Sequence, residues 1–223
     1  MPARATLFTA LLLSSSPIAH AQPLPEMPPS PMLMFDDNAP RGRKEVSLAT
    51  MNAEWRKFIL KDTQIDKRGF LAVVVPAQFI GSLDAVKSAH VFMPMQAGAS
   101  TVVAGLTLLG TVEESKNRKE YLFGRPVTAS AMLTVWKYKE DGGSINVVSD
   151  FLNQSIDGTP ATLSLATTPN SKQCQWKLGV VDDKVSYEVV LTDTLSDKHE
   201  PSMTLTQALA TIHALVSFAK KQN

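Results

Sequence analysis

Cysteine is nearly absent from this chain: Cys174 is the only one, so no intramolecular disulfide can form. Its neighbours Gln173, Gln175 and Trp176 include no cation to lower a thiol pKa. It stands in an alternating apolar run and reads as a small core residue. Charge of one sign is also lacking. The chain has 22 Lys and Arg against 21 Asp and Glu, so no global field draws it to nucleic acid or an anionic membrane. Long apolar runs are missing too. After the first 21 residues the longest is Val102 to Val112, which contains Gly105 and Gly110 and is too short for a transmembrane helix.

The motifs that announce chemistry are absent as well. There is no H-E-x-x-H, no Cys/His cluster and no EF-hand spacing. G-x-S-x-G, the P-loop and the dinucleotide fingerprint do not occur. No catalytic residue, cofactor site or metal ligand is assigned from the sequence. His90 falls on the apolar face of a candidate helix and reads as a packed or edge histidine. His199, in the loop Asp197-x-His199-Glu200, is a weak metal candidate, because such clusters are common in polar loops. His213 flanks the stripe of the last helix with no acid one turn away. The acidic pairs Asp36-Asp37, Glu113-Glu114 and Asp182-Asp183 read as solvated tail or turn chemistry. Lys116, Arg118 and Lys119 lie near Tyr121 and Phe123, but Glu113, Glu114 and Glu120 surround them. A solvated loop explains that patch better than nucleic-acid binding.

What is present begins with a targeting signal. Met1 to Ala21 has one positive charge, the apolar run Leu7 to Leu13, a break at Ser14 to Pro17, and Ala19-His20-Ala21. That order is a secretory signal with cleavage after Ala21. Residues 22–44 read as a proline-rich tail, with Pro23, Pro25, Pro28, Pro29, Pro31 and Pro40 favouring extended geometry. Inside it, Met32, Leu33, Met34 and Phe35 form an apolar cluster unexpected in a spacer. They either pack on the domain or dock a partner, and they are the candidate partner-binding residues.

Residues 45–223 read as a single domain. Ser47 to Lys61 predicts a helix whose stripe is Leu48, Met51, Trp55 and Phe58, with Ile59 beside it. Phe70 to Val75 predicts a buried strand, and Ser82 to Phe92 a short helix. Ser100 to Leu191 reads as mostly sheet, with Ser115 to Lys119 as a polar loop. Glu140-Asp141-Gly142-Gly143 signals a hairpin between Leu133–Tyr138 and Ser144–Val148. Asp157-Gly158 is another turn. Cys174, Trp176, Leu178 and Val180 alternate with polar or small residues, as do Val185, Tyr187, Val189 and Leu191 across Asp182-Asp183. Those runs predict an antiparallel pair with one buried face. A closing helix follows, with Thr204 and Gln207 at capping-box spacing and Leu205, Leu209, Ile212 and Val216 in one stripe.

The expected fold is α+β: an antiparallel sheet of about five to seven strands, with the N-terminal and C-terminal helices packed on one face. Asp157-Gly158-Thr159-Pro160-Ala161 leading into a strand, the Trp176 to Leu191 hairpin and the closing helix together resemble the small exported proteins of the PsbP/DcrB type. The resemblance implies that same α+β order and transfers no site residue.

The function expected is that of an exported, non-enzymatic interaction protein with a protein partner. It would be an accessory subunit of an envelope or secretion system, or an inhibitor or immunity protein. The alternative is an exported hydrolase with a site assembled from distant residues. The location expected is periplasmic or secreted. The exported product is predicted to begin at Gln22, open or cyclised to pyroglutamate. Intact-mass measurement checks this, and a product retaining Leu7 to Leu13 overturns it.

Overall fold

The computed structural model describes residues 33–34, 42–61, 63–65, 71–75, 92–95, 101–125 and 128–222. The signal segment, His90 and the expected helix from Ser82 lie outside these residues, apart from the helix's last position. Phe92 belongs to a strand instead, β5 (Phe92–Pro94).

The main layer is a mixed sheet in the order β3-β4-β12-β13-β14-β9-β8-β7-β5. Its strands are β3 (Thr63–Ile65), β4 (Leu71–Val74), β5, β7 (Leu106–Ser115), β8 (Arg118–Arg125), β9 (Thr128–Trp136), β12 (Thr159–Thr167), β13 (Gln173–Val181) and β14 (Ser186–Thr194). Two short strands attach to it: β6 (Val102–Val103) on β7 and β11 (Gln154–Ile156) on β12. A second sheet, in the order β1-β10-β2, is built from β1 (Leu33–Met34), β10 (Ser144–Val148) and β2 (Gly42–Val46). The helices are α1 (Ala53–Lys61) and α2 (Leu205–Gln222), with a 3-10 turn at Ser149–Phe151.

The alternating runs fold as their period dictates. β13 and β14 pair antiparallel, with Trp176 opposite Leu191 and Leu178 opposite Val189. Cys174, Trp176, Leu178, Val180, Tyr187, Val189 and Leu191 are buried on one face. There α2 covers them with Ala208, Ile212, Leu215, Val216 and Ala219. Phe218 meets Tyr121 and Phe123 edge-on, both at 5.5 Å between ring centres. The capping box forms. Gln207 N donates to Thr204 Oγ1 at 3.2 Å, and Thr204 N donates to Gln207 Oε1 at 2.8 Å. At the β11–β12 turn, Asp157 and Gly158 have φ of 50° and 80°. Positive φ at both central residues is the two-residue hairpin geometry that this dipeptide favours.

Several expectations are corrected. The sheet is larger than expected and mixed, because β4 joins β12 in parallel. Several strands of two or three residues are too short to show a period. The polar loop from Ser115 to Lys119 shrinks to a tight turn at Lys116 and Asn117, since Ser115 ends β7 and Arg118 starts β8. The hairpin at Glu140 to Gly143 does not form between β9 and β10. Both edges of β9 are taken, by β8 and β14, so no edge remains for β10. The turn instead carries the chain to the second sheet. Asp141 fixes it by accepting hydrogen bonds from Trp136 Nε1 and Asn117 Nδ2. A Cβ on Gly143 would stand 3.2 Å from the Trp136 ring, so glycine suits that corner.

A further correction concerns the helices, which pack on opposite faces. Leu71 is in register with Ser164, while the neighbours Leu163 and Leu165 face α2. On the Leu71 side, Ile59 of α1 clusters with Leu71, Val148 and Phe151. Ile145 and Val147 of β10 pack with Val181 and Tyr138 on that same side. The molecule is therefore layered as α2, main sheet, then second sheet with α1. The first helix also starts later than expected. Asn52 caps it by accepting from Trp55 N at 2.9 Å, so Leu48 and Met51 lie in the preceding turn. Trp55, inside the helix, is 46% exposed rather than buried in a stripe.

Trp176 is 2% exposed and its Nε1 donates to Asp193 Oδ2 at 3.2 Å. Trp176→Ala is expected to cost about 3–5 kcal/mol, the range for a buried aromatic cut to alanine. Denaturant melts check this, and an unchanged midpoint would show that Trp176 does not bear on the core.

Candidate functional site

The second sheet is where the N-terminal segment meets the domain. β10 lies at its centre. Its Ser144 to Val148 pair in parallel with Gly42 to Val46 of β2 along one edge. Along the other edge Leu33 pairs with Val147, and Met34 with Asn146, antiparallel. Two of the candidate partner-binding residues, Leu33 and Met34, are thus an outer strand of this sheet. The other two, Met32 and Phe35, lie outside the described residues. The last positions of the expected tail, from Gly42 onward, belong to β2.

Beside this strand pair is a groove of about 310 Å³. It is lined by Lys44, Val46, Thr50, Met51, Asn52, Trp55 and Asn146. Its wall, the turn from Ser47 to Met51, is held from several sides. Ser47 O accepts from Thr50 N at 3.0 Å and from Thr50 Oγ1 at 2.9 Å. Arg56 Nη2 donates to Ala49 O at 2.9 Å from behind, and Leu48 N donates to Asp150 Oδ2 at 2.8 Å. The local sequence explains this. Ser47 turns the chain by accepting Ala49 N on its own Oγ at 3.0 Å, and Asn52 then starts the helix.

The titratable groups that sequence reading weighed are mostly tied into the fold. Asp157 Oδ1 lies 2.7 Å from His213 Nε2, and its Oδ2 lies 2.9 Å from Lys220 Nζ. Those contacts, Lys220 first, hold the Asp157 carboxyl below its ordinary pKa. The acid that His213 lacked along its own helix comes from the β11–β12 turn. Asp197 pairs with Lys172 at 3.3 Å, while His199, at φ 57°, donates its N–H to Ser196 O in a surface turn. Glu113 pairs with Lys119, and Glu114 with Arg118, both at 2.9 Å. Asp182 Oδ1 accepts from Lys184 N and Val185 N at 2.8 and 2.7 Å, closing the β13–β14 turn. The Cys174 thiol is pushed up to about 12 by burial and then by Asp193 opposite, as suits a core residue. Among the described residues, no three His, Cys, Asp or Glu side chains are grouped to hold a metal ion.

Sequence reasoning missed the polar row on the second face of the main sheet. Val112, Glu120, Thr134, Glu188, Gly179 and Thr162 stand opposite one another across six strands. Lys177 lies two residues along from Gly179 on the same face. Glu120 is 7% exposed, with its Oε1 3.4 Å from Thr134 Oγ1. Burial raises its pKa to about 7, helped by Glu114 and Glu188 and opposed by Arg118 and the Thr134 hydroxyl. Burial also raises Glu188 and lowers Lys177, and the two charges oppose those shifts in each other. Gln175, fully buried on this face, has both side-chain polar atoms unpartnered. The sequence signal was faint: Glu120, Lys177 and Glu188 alternate out of phase with the apolar positions and read as solvent-facing.

The chain matches no protein-family model, no curated protein and no solved structure.

The raised Glu120 pKa has a consequence for stability. The folded state keeps a proton on Glu120 up to about pH 7, while the unfolded chain loses it near 4.5. Folding therefore takes up a proton in that window, and stability falls as pH rises through it. At most this amounts to about 3 kcal/mol. Glu120→Gln is expected to raise the melting temperature near pH 8 and change it little near pH 5. Equal shifts at both pH values would show that Glu120 does not carry the pH dependence.

Proposed function

We propose that this is an exported, non-enzymatic binding protein that meets a protein partner through its N-terminal segment, Met32 to Phe35, at the edge of β10. The supporting observation is the pairing of Leu33–Met34 with β10. A strand of two residues held along one side is a weakly anchored edge element. Partner strands commonly dock by adding to such an edge, with main-chain bonds giving affinity and alternate side chains giving specificity. The four apolar residues in a proline-rich stretch supply the side chains, and export follows from the signal-like first 21 residues. An accessory subunit of an envelope or secretion system fits this reading, as does an inhibitor or immunity protein.

The test uses two variants. A chain beginning at Arg41 keeps β2 whole, and Met34→Ser with Phe35→Ser removes fewer atoms. Both are expected to leave circular dichroism unchanged, lower the melting temperature by only a few degrees and abolish capture of the native envelope partner. Capture that persists at wild-type level in both variants overturns the proposal. Unfolding of both would place the cluster in the core.

A further inference from the structure

We propose that the second layer opens from the main sheet as one unit while the main sheet and α2 stay folded. The unit is residues 42–61 and 144–152, with β1 paired to it. This inference does not rest on what Met32 to Phe35 bind. The bonding pattern carries it. Among the described residues, β10 pairs with β1 and β2 and with no strand of the main sheet. Beyond that ladder, Leu48 N donates to Asp150 Oδ2 at 2.8 Å, and the Ser149 hydroxyl donates to Val46 O at 3.3 Å. Those bonds tie the turn after β2 to the turn after β10. Two stretches of chain that are distant in sequence therefore hold each other.

Among the described residues, the seat of this layer on the main sheet is narrow and apolar. Ile59, Val148 and Phe151 meet Leu71 of β4. Ile145 and Val147 meet Val181 of β13 and Tyr138. On the other face, one cluster runs from Leu108 of β7 across the sheet to Leu165 of β12 and takes in α2. The free energy needed to open a region follows the apolar surface that it buries. A layer seated on two small clusters therefore opens more often than the sheet that carries it.

The chain is pegged to the main body on both sides of β10. Before it, Asp141 accepts from Trp136 Nε1 at 2.6 Å and from Asn117 Nδ2. After it, Asn153 N donates to Ala161 O at 3.1 Å, and the Asn153 side chain bonds Leu163 N and O at 2.8 and 2.9 Å. Just inside the first peg, Gly142, at φ 78°, and Gly143 supply a pivot. The other stretch of the layer rejoins the main sheet at Thr63, after α1. The main sheet can therefore keep its own bonds while the layer swings away. Opening bares Ile145, Val147 and Val148, which are buried when the layer is seated.

Native-state hydrogen exchange of the full chain, followed amide by amide across a denaturant series, tests this. The slowest amides of β2, β10 and α1 are expected to share one opening equilibrium, about a hundredfold more open than that of β13, β14 and α2. Two variants sharpen the test. Ile212→Val trims a fully buried side chain of the α2 core. It should speed exchange in β13, β14 and α2 about three- to tenfold and leave β2, β10 and α1 unchanged. Ile145→Val trims the seat of β10. It should speed α1 as much as β10, although Ile145 and the α1 residue Ile59 lie in different clusters. A single opening equilibrium for both layers overturns the proposal. So does an Ile212→Val variant that speeds all these elements equally, or an Ile145→Val variant that leaves α1 unmoved.

Discussion

The carboxylate of Asp193 joins the central hairpin to the helix that covers it. It is 5% exposed. Its Oδ2 accepts from Trp176 Nε1 at 3.2 Å and from Met203 N at 3.0 Å. Its Oδ1 accepts from Thr194 N at 2.7 Å and from the Ser202 hydroxyl. One side chain therefore satisfies the core tryptophan, the end of β14 and the segment that leads into α2. The capping box at Thr204 begins immediately beyond Met203. A buried carboxylate is costly unless its lone pairs are filled, and here several donors converge on it. Because those donors come from three segments, Asp193 fixes where α2 starts, and so which residues of α2 meet the sheet.

That placement fixes the rest of the layering. With α2 over the Trp176 face, the second face of the main sheet must be covered by what remains. β9 cannot take another neighbour, so the chain after Gly143 leaves the main sheet and builds β10 above Val181. β10 then gathers β2 and β1, and the Ser47–Met51 turn and α1 follow β2. The exposed Trp55 and its groove thus arise where the second layer ends. The row Glu120, Thr134, Glu188 and the nearby Lys177 and Gln175 belongs to this second face. A row of polar groups there limits how closely an apolar partner layer can seat, which fits a second sheet of only three strands.

Much of the α2 side was legible because its period is long and regular. Cys174 to Val180 and Val185 to Leu191 alternate over whole strands, and Thr204 with Gln207 is a local signal needing no tertiary context. Asp193 could have been found the same way: it is the next inward position after Leu191, where an acid breaks an apolar phase. The second layer was not legible, for three physical reasons. Its strands are short, so they carry no period. The Glu140–Gly143 turn chemistry is satisfied equally by a hairpin or by a crossing between layers, and only the occupancy of β9 decides. The α1 stripe also looked continuous from Leu48, whereas the helix starts after Asn52 and Trp55 is exposed. Of the site, the Met32 to Phe35 cluster was visible as composition, but the place of Leu33 and Met34 on β10 depends on a pairing across more than a hundred residues.

The energetics of that pairing bear on what it is for. β1 has two residues, whereas β10 offers five. Ordering two residues costs roughly 2–4 kcal/mol of backbone entropy. Each main-chain hydrogen bond returns only about 0.5–1.5 kcal/mol net. Backbone pairing alone therefore leaves so short a strand near balance. β1 pairs with two of the five β10 positions, Val147 and Asn146. A short strand in that place covers part of an edge that would otherwise offer its full row of main-chain groups to pairing.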